Sequence, residues 1–396
     1  MFNGFDSVDS KWEEMVPSVA SYAQWLIANR QNRLEVVLLW AADWADFANS
    51  TLRQSRLNKL VEVMHSFGVA FGCDVPIAEI QQHAWHMVDH PDATLQVQKK
   101  EIEEHIDWWM AAGFDFISSE NGFTEFTHAN CTLALEWMNY ATEYALGKYG
   151  KKMYIKCHCS SGQTCPDYKD PVSGKPINFN FLPYYATKKL GIYPHTVQFY
   201  NFTDPSPVYG NENFTYVYDW IWETKGEREV VYHGETAYWV NYDIDVPLFL
   251  PVYMFGRVSD LQRIGEGEKK HNQKIEGQIN FSSGWEWTYW LNNWVTSRAA
   301  WNPEMGARNT YEAVGNILEP VTRMFGPNGA KIKALILDSI KMERELLIFG
   351  QVGNNKPETV EKRNGIGYLQ GWDTWSDLMN LVSSLLFFFP RISFFF

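Results

Sequence analysis

Residues 114–121 read FDFISSEN, an apolar run of strand length that delivers Glu120 at its end, just before Asn121. A second run, residues 229–236, reads EVVYHGET and delivers Glu235 at its end, just before Thr236, with aromatic rings following at Tyr238 and Trp239. Five more such runs occur: LEVVLLWAAD at 34–43, GVAFGCDVPI at 68–77, KMYIKCHC at 152–159, HTVQFYNF at 195–202 and GQINFSSG at 277–284. Each is apolar on both faces, as a parallel strand covered on both sides must be.

Between these runs the period changes. Trp12, Met15, Val19, Tyr22 and Leu26 step by three and four, as do Leu57, Leu60 and Met64, then Ile102, Ile106 and Trp109, then Leu133, Trp137, Ala141 and Tyr144. That is the apolar stripe of a helix. Gly68, Gly113 and Gly150 precede strand runs, where a helix has to stop. Helix and strand therefore alternate along the chain, and the pattern predicts an α/β fold with a parallel sheet.

Seven runs with a leading helix fall one short of an eightfold barrel, and MFNGFDS at the N-terminus, or a segment before it, is expected to supply the first strand. The expected architecture is a (β/α)8 TIM-like barrel over residues 1–302. An open doubly wound sheet is the competing arrangement, but no glycine-rich phosphate turn follows any strand. From Pro303 the pattern is wholly helical, with KIKALILDSIKMERELLIFG at 331–350 its clearest element, so residues 303–380 are expected to form a helical extension. Residues 381–396, LVSSLLFFFPRISFFF, are an atypical hydrophobic tail, too short and too broken by Pro390 and Arg391 to cross a bilayer.

Composition narrows the function. The formal net charge of -13 opposes a phosphate backbone, so nucleic acid is not an expected partner. Aromatics make up 16% of the 396 residues, and rings placed on loops offer apolar faces on which sugars stack. The opening residues lack the basic start and apolar stretch of a signal peptide, so a secreted or lysosomal-type location is expected only if a leader precedes Met1. The five cysteines are too few for a disulfide scaffold; a loop disulfide between Cys159 and Cys165 is expected in an oxidising compartment, free thiols otherwise. Sequons stand at Asn49, Asn130, Asn201, Asn213 and Asn280, the last inside an expected strand.

In a (β/α)8 barrel the reactive groups gather at the carboxyl ends of the strands. If the N-terminal fragment is strand one, Glu120 ends strand four and Glu235 ends strand seven. In this strand order and these two glutamates the chain resembles the large clan of retaining glycoside hydrolases with an acid/base on strand four and a nucleophile on strand seven. It departs from the clan in having Ser119 directly before Glu120 and Asn121 after it, where the clan has Asn before the acid/base. The resemblance spans Met1 to about Trp301. It implies cleavage of a glycosidic bond, with Glu120 as acid/base, Glu235 as nucleophile and no cofactor. In that clan an aromatic after strand eight floors the sugar subsite, which the resemblance carries to Trp285 or Trp287.

Other strand ends supply candidates for holding a carbohydrate: Asp43, Trp44, Asp74, Asn121, His158, Gln198, Tyr200, His233, Tyr238 and Glu286. Each glutamate also has a purely structural use, as a helix cap or an ion-pair partner. Two other functions stay open. One is a carbohydrate-binding barrel without catalysis. The other is a metal-dependent barrel hydrolase, using His83, His86 and His90 with Asp89 if that stretch is helical, or His158, His233 and Asp43. KCHCSSGQTCPD at 156–167 matches no common zinc spacing, so no metal ligand is assigned.

Overall fold

The computed structural model describes residues 8, 11–40, 45–77, 84–121, 130–206, 208–237, 249–281 and 286–349. Met1–Ser7, expected as the first strand, and the hydrophobic tail 381–396 lie outside these residues.

Seven strands form one sheet: β1 Arg33–Val37, β2 Ala70–Asp74, β3 Phe116–Asn121, β4 Lys152–Cys157, β7 Gly191–Thr196, β8 Val231–Gly234 and β9 Gly277–Asn280. They lie side by side in chain order and every pairing is parallel. Helices cross between them, including Trp12–Ala28, Thr51–Ser66, Leu95–Ala111, Cys131–Tyr149, Thr215–Lys225, Val252–His271 and Glu286–Trp301. The sheet curls into a TIM-like barrel short of one strand, with β1 and β9 as its edges. The Gln31 amide donates to Ser297 Oγ at 2.5 Å and the Trp301 indole to Arg30 O at 3.2 Å, tying the approach to β1 onto the helix that follows β9.

The anticipated helix stripes are the buried ones. Val19 and Leu26, Leu57 and Met64, Ile102, Ile106 and Trp109, and Trp137 and Ala141 all pack in the core. Gly68, Gly113 and Gly150 adopt φ of 73°, 98° and 63°, the left-handed turn that lets each helix stop and the chain enter the next strand.

Two local expectations need correction. The run at 195–202 is not a strand along its length: β7 starts at Gly191 and ends at Thr196. Val197–Phe202 is buried, yet it leaves the sheet. Gln198 takes φ 55°, and the Phe202 N–H donates to Asp260 Oδ1 at 2.8 Å on the helix Val252–His271. Apolarity marks burial, and here it marked a buried loop. The stretch that does form the strand holds Gly191 and Pro194, residues that weaken a strand signal.

The second correction concerns the disulfide, which joins Cys131 to Cys165 rather than Cys159 to Cys165. An antiparallel hairpin, β5 Thr164–Lys169 with β6 Pro176–Asn178, sits against the start of the helix Cys131–Tyr149. Asp167 accepts the N–H groups of Cys131 and Thr132 at 2.9 and 3.0 Å, capping that helix and setting the two sulfurs side by side. Cys73 and Cys157 are buried thiols.

Beyond Trp301 the helices Thr310–Arg323 and Gly329–Glu343 dock on the barrel's outer helix Val252–His271. Glu343 accepts the Val252 N–H at 2.8 Å, and Arg344 lies over the Phe255 ring at 3.8 Å while reaching Asp204 at 2.6 Å. No described helix is long and apolar enough to cross a membrane.

Candidate active site

Strand alternation gives the barrel two faces of different chemistry. Outward, Phe71, Cys73, Ile117, Met153, Ile155, Ile192 and Tyr232 pack under the helices. Inward, the amino half is closed by Phe116, Tyr154, Tyr193 and Val231, with Ala70 and Ile279 against them. Gly72 and Gly191 are required by this plug, since a Cβ at either would stand 2.3 Å from the Phe116 or Tyr154 ring. Above the plug the inward positions are almost all ionisable: Glu35, Asp74, Glu120, Lys156, His195 and His233, joined by Glu235 just past β8. They line one cavity of about 860 Å³, which also runs along the open edge between β1 and β9.

Glu120, 7% exposed, stands opposite Lys156 in the β3–β4 register and forms an ion pair with it. Glu235, 6% exposed, is held from the neighbouring strand's loop: the Gln198 N–H donates to its Oε2 at 2.5 Å. That N–H points inward because Gln198 is left-handed, a conformation costly for a residue with a Cβ and typical of backbone shaped by a site. His195 Nε2 lies 3.3 Å from Glu235 Oε1. Behind this wall the Arg257 guanidinium pairs with Asp260 at 3.0 Å and donates to Thr196 Oγ1 at 2.9 Å. The Tyr232 hydroxyl donates to Asp260 at 2.6 Å. The network is fully buried and locks the carboxyl ends of β7 and β8 together. Thr236 Oγ1, hydrogen-bonded to Phe281 O at 2.8 Å and to Asn293 at 2.6 Å, fixes the chain just beyond Glu235.

Three imidazoles pack in a row beside Glu235. His158 pairs with Ser160 Oγ at 2.8 Å and packs edge-on to His195, which in turn faces His233 at 4.7 Å between ring centres. Burial, reinforced by the Lys156 charge, drives His158 down to about 4. Burial also drives His195 and His233 well below their ordinary value, helped by the cations Lys156 and Arg257 around them. All three are therefore neutral at pH 7 and offer both donor and acceptor nitrogens. His233 is 8% exposed, and neither of its nitrogens has a partner among the described residues; the same holds for His195 Nδ1. Buried polar atoms of this kind are costly unless a ligand completes them.

The acid groups on the opposite wall behave differently. Burial raises Glu35 to about 7, against the pull of hydrogen bonds from Ser118 and Tyr193. Asp74 is pushed well above the carboxylate range, first by burial and then by the charges of Glu120 and Glu35.

Of the residues singled out in the sequence, Asp74, Glu120, His158, His233 and Glu235 meet in this cavity. Gln198 contributes its backbone, and from the loop after β7 rather than a strand end. Tyr200 is 1% exposed and packs on Phe199 in the core. Asn121 ends β3, and Glu286 and Trp287 open the helix Glu286–Trp301, but their side chains are not described. Asp43, Trp44, Tyr238 and Trp285 lie outside the described residues, as does His83. His86 and His90 are in irregular backbone rather than a helix, and they face Asp89 at 3.5 Å and Glu101 at 2.5 Å respectively. Among the described residues no three His, Cys, Asp or Glu side chains converge as a metal site. The sequence reading missed Lys156, His195 and Glu35. Their signal was a charged or titratable residue inside an apolar run, on the parity of the inward face.

Fold and site together define a TIM-like α/β barrel with a polar, carboxylate-bearing cavity at the carboxyl ends of its strands. No protein-family model and no curated protein matches the sequence. Among solved structures, CpGH84B, a glycoside hydrolase of family GH84, aligns with a TM-score of 0.51 at 12% identity, over 81% of this chain and 50% of that one. The chitobiase FjGH20 of Flavobacterium johnsoniae aligns at 0.46 and 9% identity, over 87% and 53%. PbGH5A, a glycoside hydrolase family 5 enzyme from Prevotella bryantii B14, aligns at 0.44 and 12%, over 71% and 86%. The chain thus spans about half the length of the first two. In architecture it resembles the (β/α)8 glycoside hydrolases, and at these identities the likeness is one of fold.

Proposed function

We propose that the chain is a glycoside hydrolase that cleaves a glycosidic bond by a two-carboxylate retaining mechanism. The observation that carries this reading is the placement of Glu120 and Glu235, both buried, on one cavity whose wall also offers neutral hydrogen-bonding imidazoles. Glu235 is the nucleophile: backbone and imidazole hold its carboxylate in one orientation, ready to attack an anomeric carbon. Glu120 is the acid/base. It protonates the departing oxygen, then takes a proton from the water that releases the sugar from Glu235. The unpartnered nitrogens of His195 and His233 hold sugar hydroxyls, and the ligand is a carbohydrate.

The test is hydrolysis of a panel of aryl glycosides and polysaccharides, with the configuration of the first-formed sugar followed by NMR. Retention of configuration supports the reading, and inversion would replace the nucleophile by a water held between the carboxyls. Glu120→Gln is expected to lose about 10²–10⁴-fold on substrates with poor leaving groups and far less where the leaving group needs no proton. An equal loss on both kinds would remove Glu120 from the acid role. Binding of a polysaccharide with no turnover of any substrate would make the barrel a carbohydrate-binding protein.

A further inference from the structure

Glu120 is ion-paired with Lys156, and a general acid has to carry a proton. The source of that proton is a question the two-glutamate mechanism leaves open, and the neighbouring strand answers it. Asp74 is the last residue of β2 and lies opposite Ser118 in the β2–β3 register, so it shares the inward face with Glu120, which stands beyond Ser118 on β3. Both line the same cavity. Asp74 Oδ1 is enclosed and has no hydrogen-bond partner among the described residues. His233, nine-tenths buried on the same cavity with both nitrogens unpartnered among the described residues, marks the space between these walls as built for a ligand. The groups facing Asp74 are Glu35 from β1, Ser118 and Glu120 from β3, Lys156 from β4 and Tyr193 from β7.

We propose that Asp74 and Glu120 form a coupled acid pair that holds one proton between them, with Asp74 the positioning acid that charges Glu120 for each turnover. This rests on the hydrolase reading for the use made of the proton, but not for the existence of the pair. At rest the proton is on Asp74 and the negative charge on Glu120, beside the Lys156 ammonium. The proton moves from the Asp74 carboxyl to Glu120, leaving Asp74 as the carboxylate. Lys156 faces both groups, so the cation stays with the charge. Glu120 then gives the proton to the glycosidic oxygen as that C–O bond breaks and Glu235 bonds to the anomeric carbon. In the second half Glu120 accepts a proton from the attacking water, whose oxygen bonds to the anomeric carbon as the bond to Glu235 breaks and frees its carboxylate, and the proton passes back to Asp74. One water is consumed and both carboxyls are restored. Burial first, and then the charges of Glu120 and Glu35, raise Asp74 well above the carboxylate range, the direction this role requires.

The pair is tested by NMR titration of carboxyl-labelled aspartate in the whole chain, with the Asp74 signal assigned by its loss in Asp74→Asn. Asp74 is expected to titrate well above the ordinary range and to fall by about one pH unit or more in Glu120→Gln, since coupling of this kind is mutual. Lys156→Met, a separate variant that removes the cation, is expected to move the same signal upward. An Asp74 signal that stays put in both variants would overturn the pair and leave burial and Glu35 as the causes. On whichever aryl glycoside the wild type cleaves, Asp74→Asn is expected to shift the alkaline limb of kcat/KM to lower pH while activity persists on the acid side. A uniform loss at every pH would assign Asp74 a merely structural part. If no glycoside is cleaved at all, the hydrolase reading fails while the titration still decides the pair.

Discussion

The two halves of the barrel interior are built from the same strands on the same parity, but have opposite chemistry. The amino half stacks Phe116, Tyr154, Tyr193 and Val231 into a plug, with glycines cleared from the positions their rings occupy. The carboxyl half carries Glu35, Asp74, Glu120, Lys156, His195, His233 and Glu235 in the positions an ordinary barrel fills with branched apolar side chains. Burying rings stabilises the fold, and burying ionisable groups costs free energy that only partial pairing returns. One half therefore holds the barrel together, while the other is maintained against stability, which is what a functional site looks like.

The comparison breaks most readily in the plug. Phe116→Ala, which empties a ring-sized volume below the cavity, is expected to cost about 3–5 kcal/mol in chemical denaturation. A loss well under 1 kcal/mol would mean that the plug is not what carries the barrel.

A smaller effect, of opposite sign, is expected above it. Glu35 is raised from 4.5 to about 7, so as pH rises through that window the unfolded chain loses its proton first and folding stability falls. The fall is at most about 3 kcal/mol, and less because the side chain is partly exposed to the cavity. Glu35→Gln is expected to flatten this slope and to be the more stable protein above pH 7. A wild type whose stability rises across the same window, with the variant following it, would contradict the assignment.

This contrast also explains what was legible in the sequence. Outward faces and helix stripes are long, periodic and apolar, so the strand–helix alternation and the positions of Glu120 and Glu235 at strand ends could be read directly. The left-handed turns at Gly68, Gly113 and Gly150 were legible for the same local reason. Lys156 and His195 were not, because a single polar residue in an apolar run says nothing of its partners until neighbouring strands fix the register. Glu120 and Lys156 meet only through the β3–β4 pairing, across 36 positions of sequence. The Cys131–Cys165 bond escaped for a similar reason: Asp167, not sequence proximity, brings the hairpin to the helix start. In β7 the sequence signal pointed the wrong way, since the buried loop Val197–Phe202 is more apolar in appearance than the strand before it.

The most direct test of the whole account measures turnover and melting temperature on the same preparation of Glu235→Gln, against the wild type and with the best aryl glycoside of the panel. The account predicts a melting temperature equal to or above that of the wild type, because one buried charge is removed, with turnover lower by about 10³-fold or more. Equal turnover in the two proteins would contradict it, and so would a variant whose lost activity tracks a lost fold.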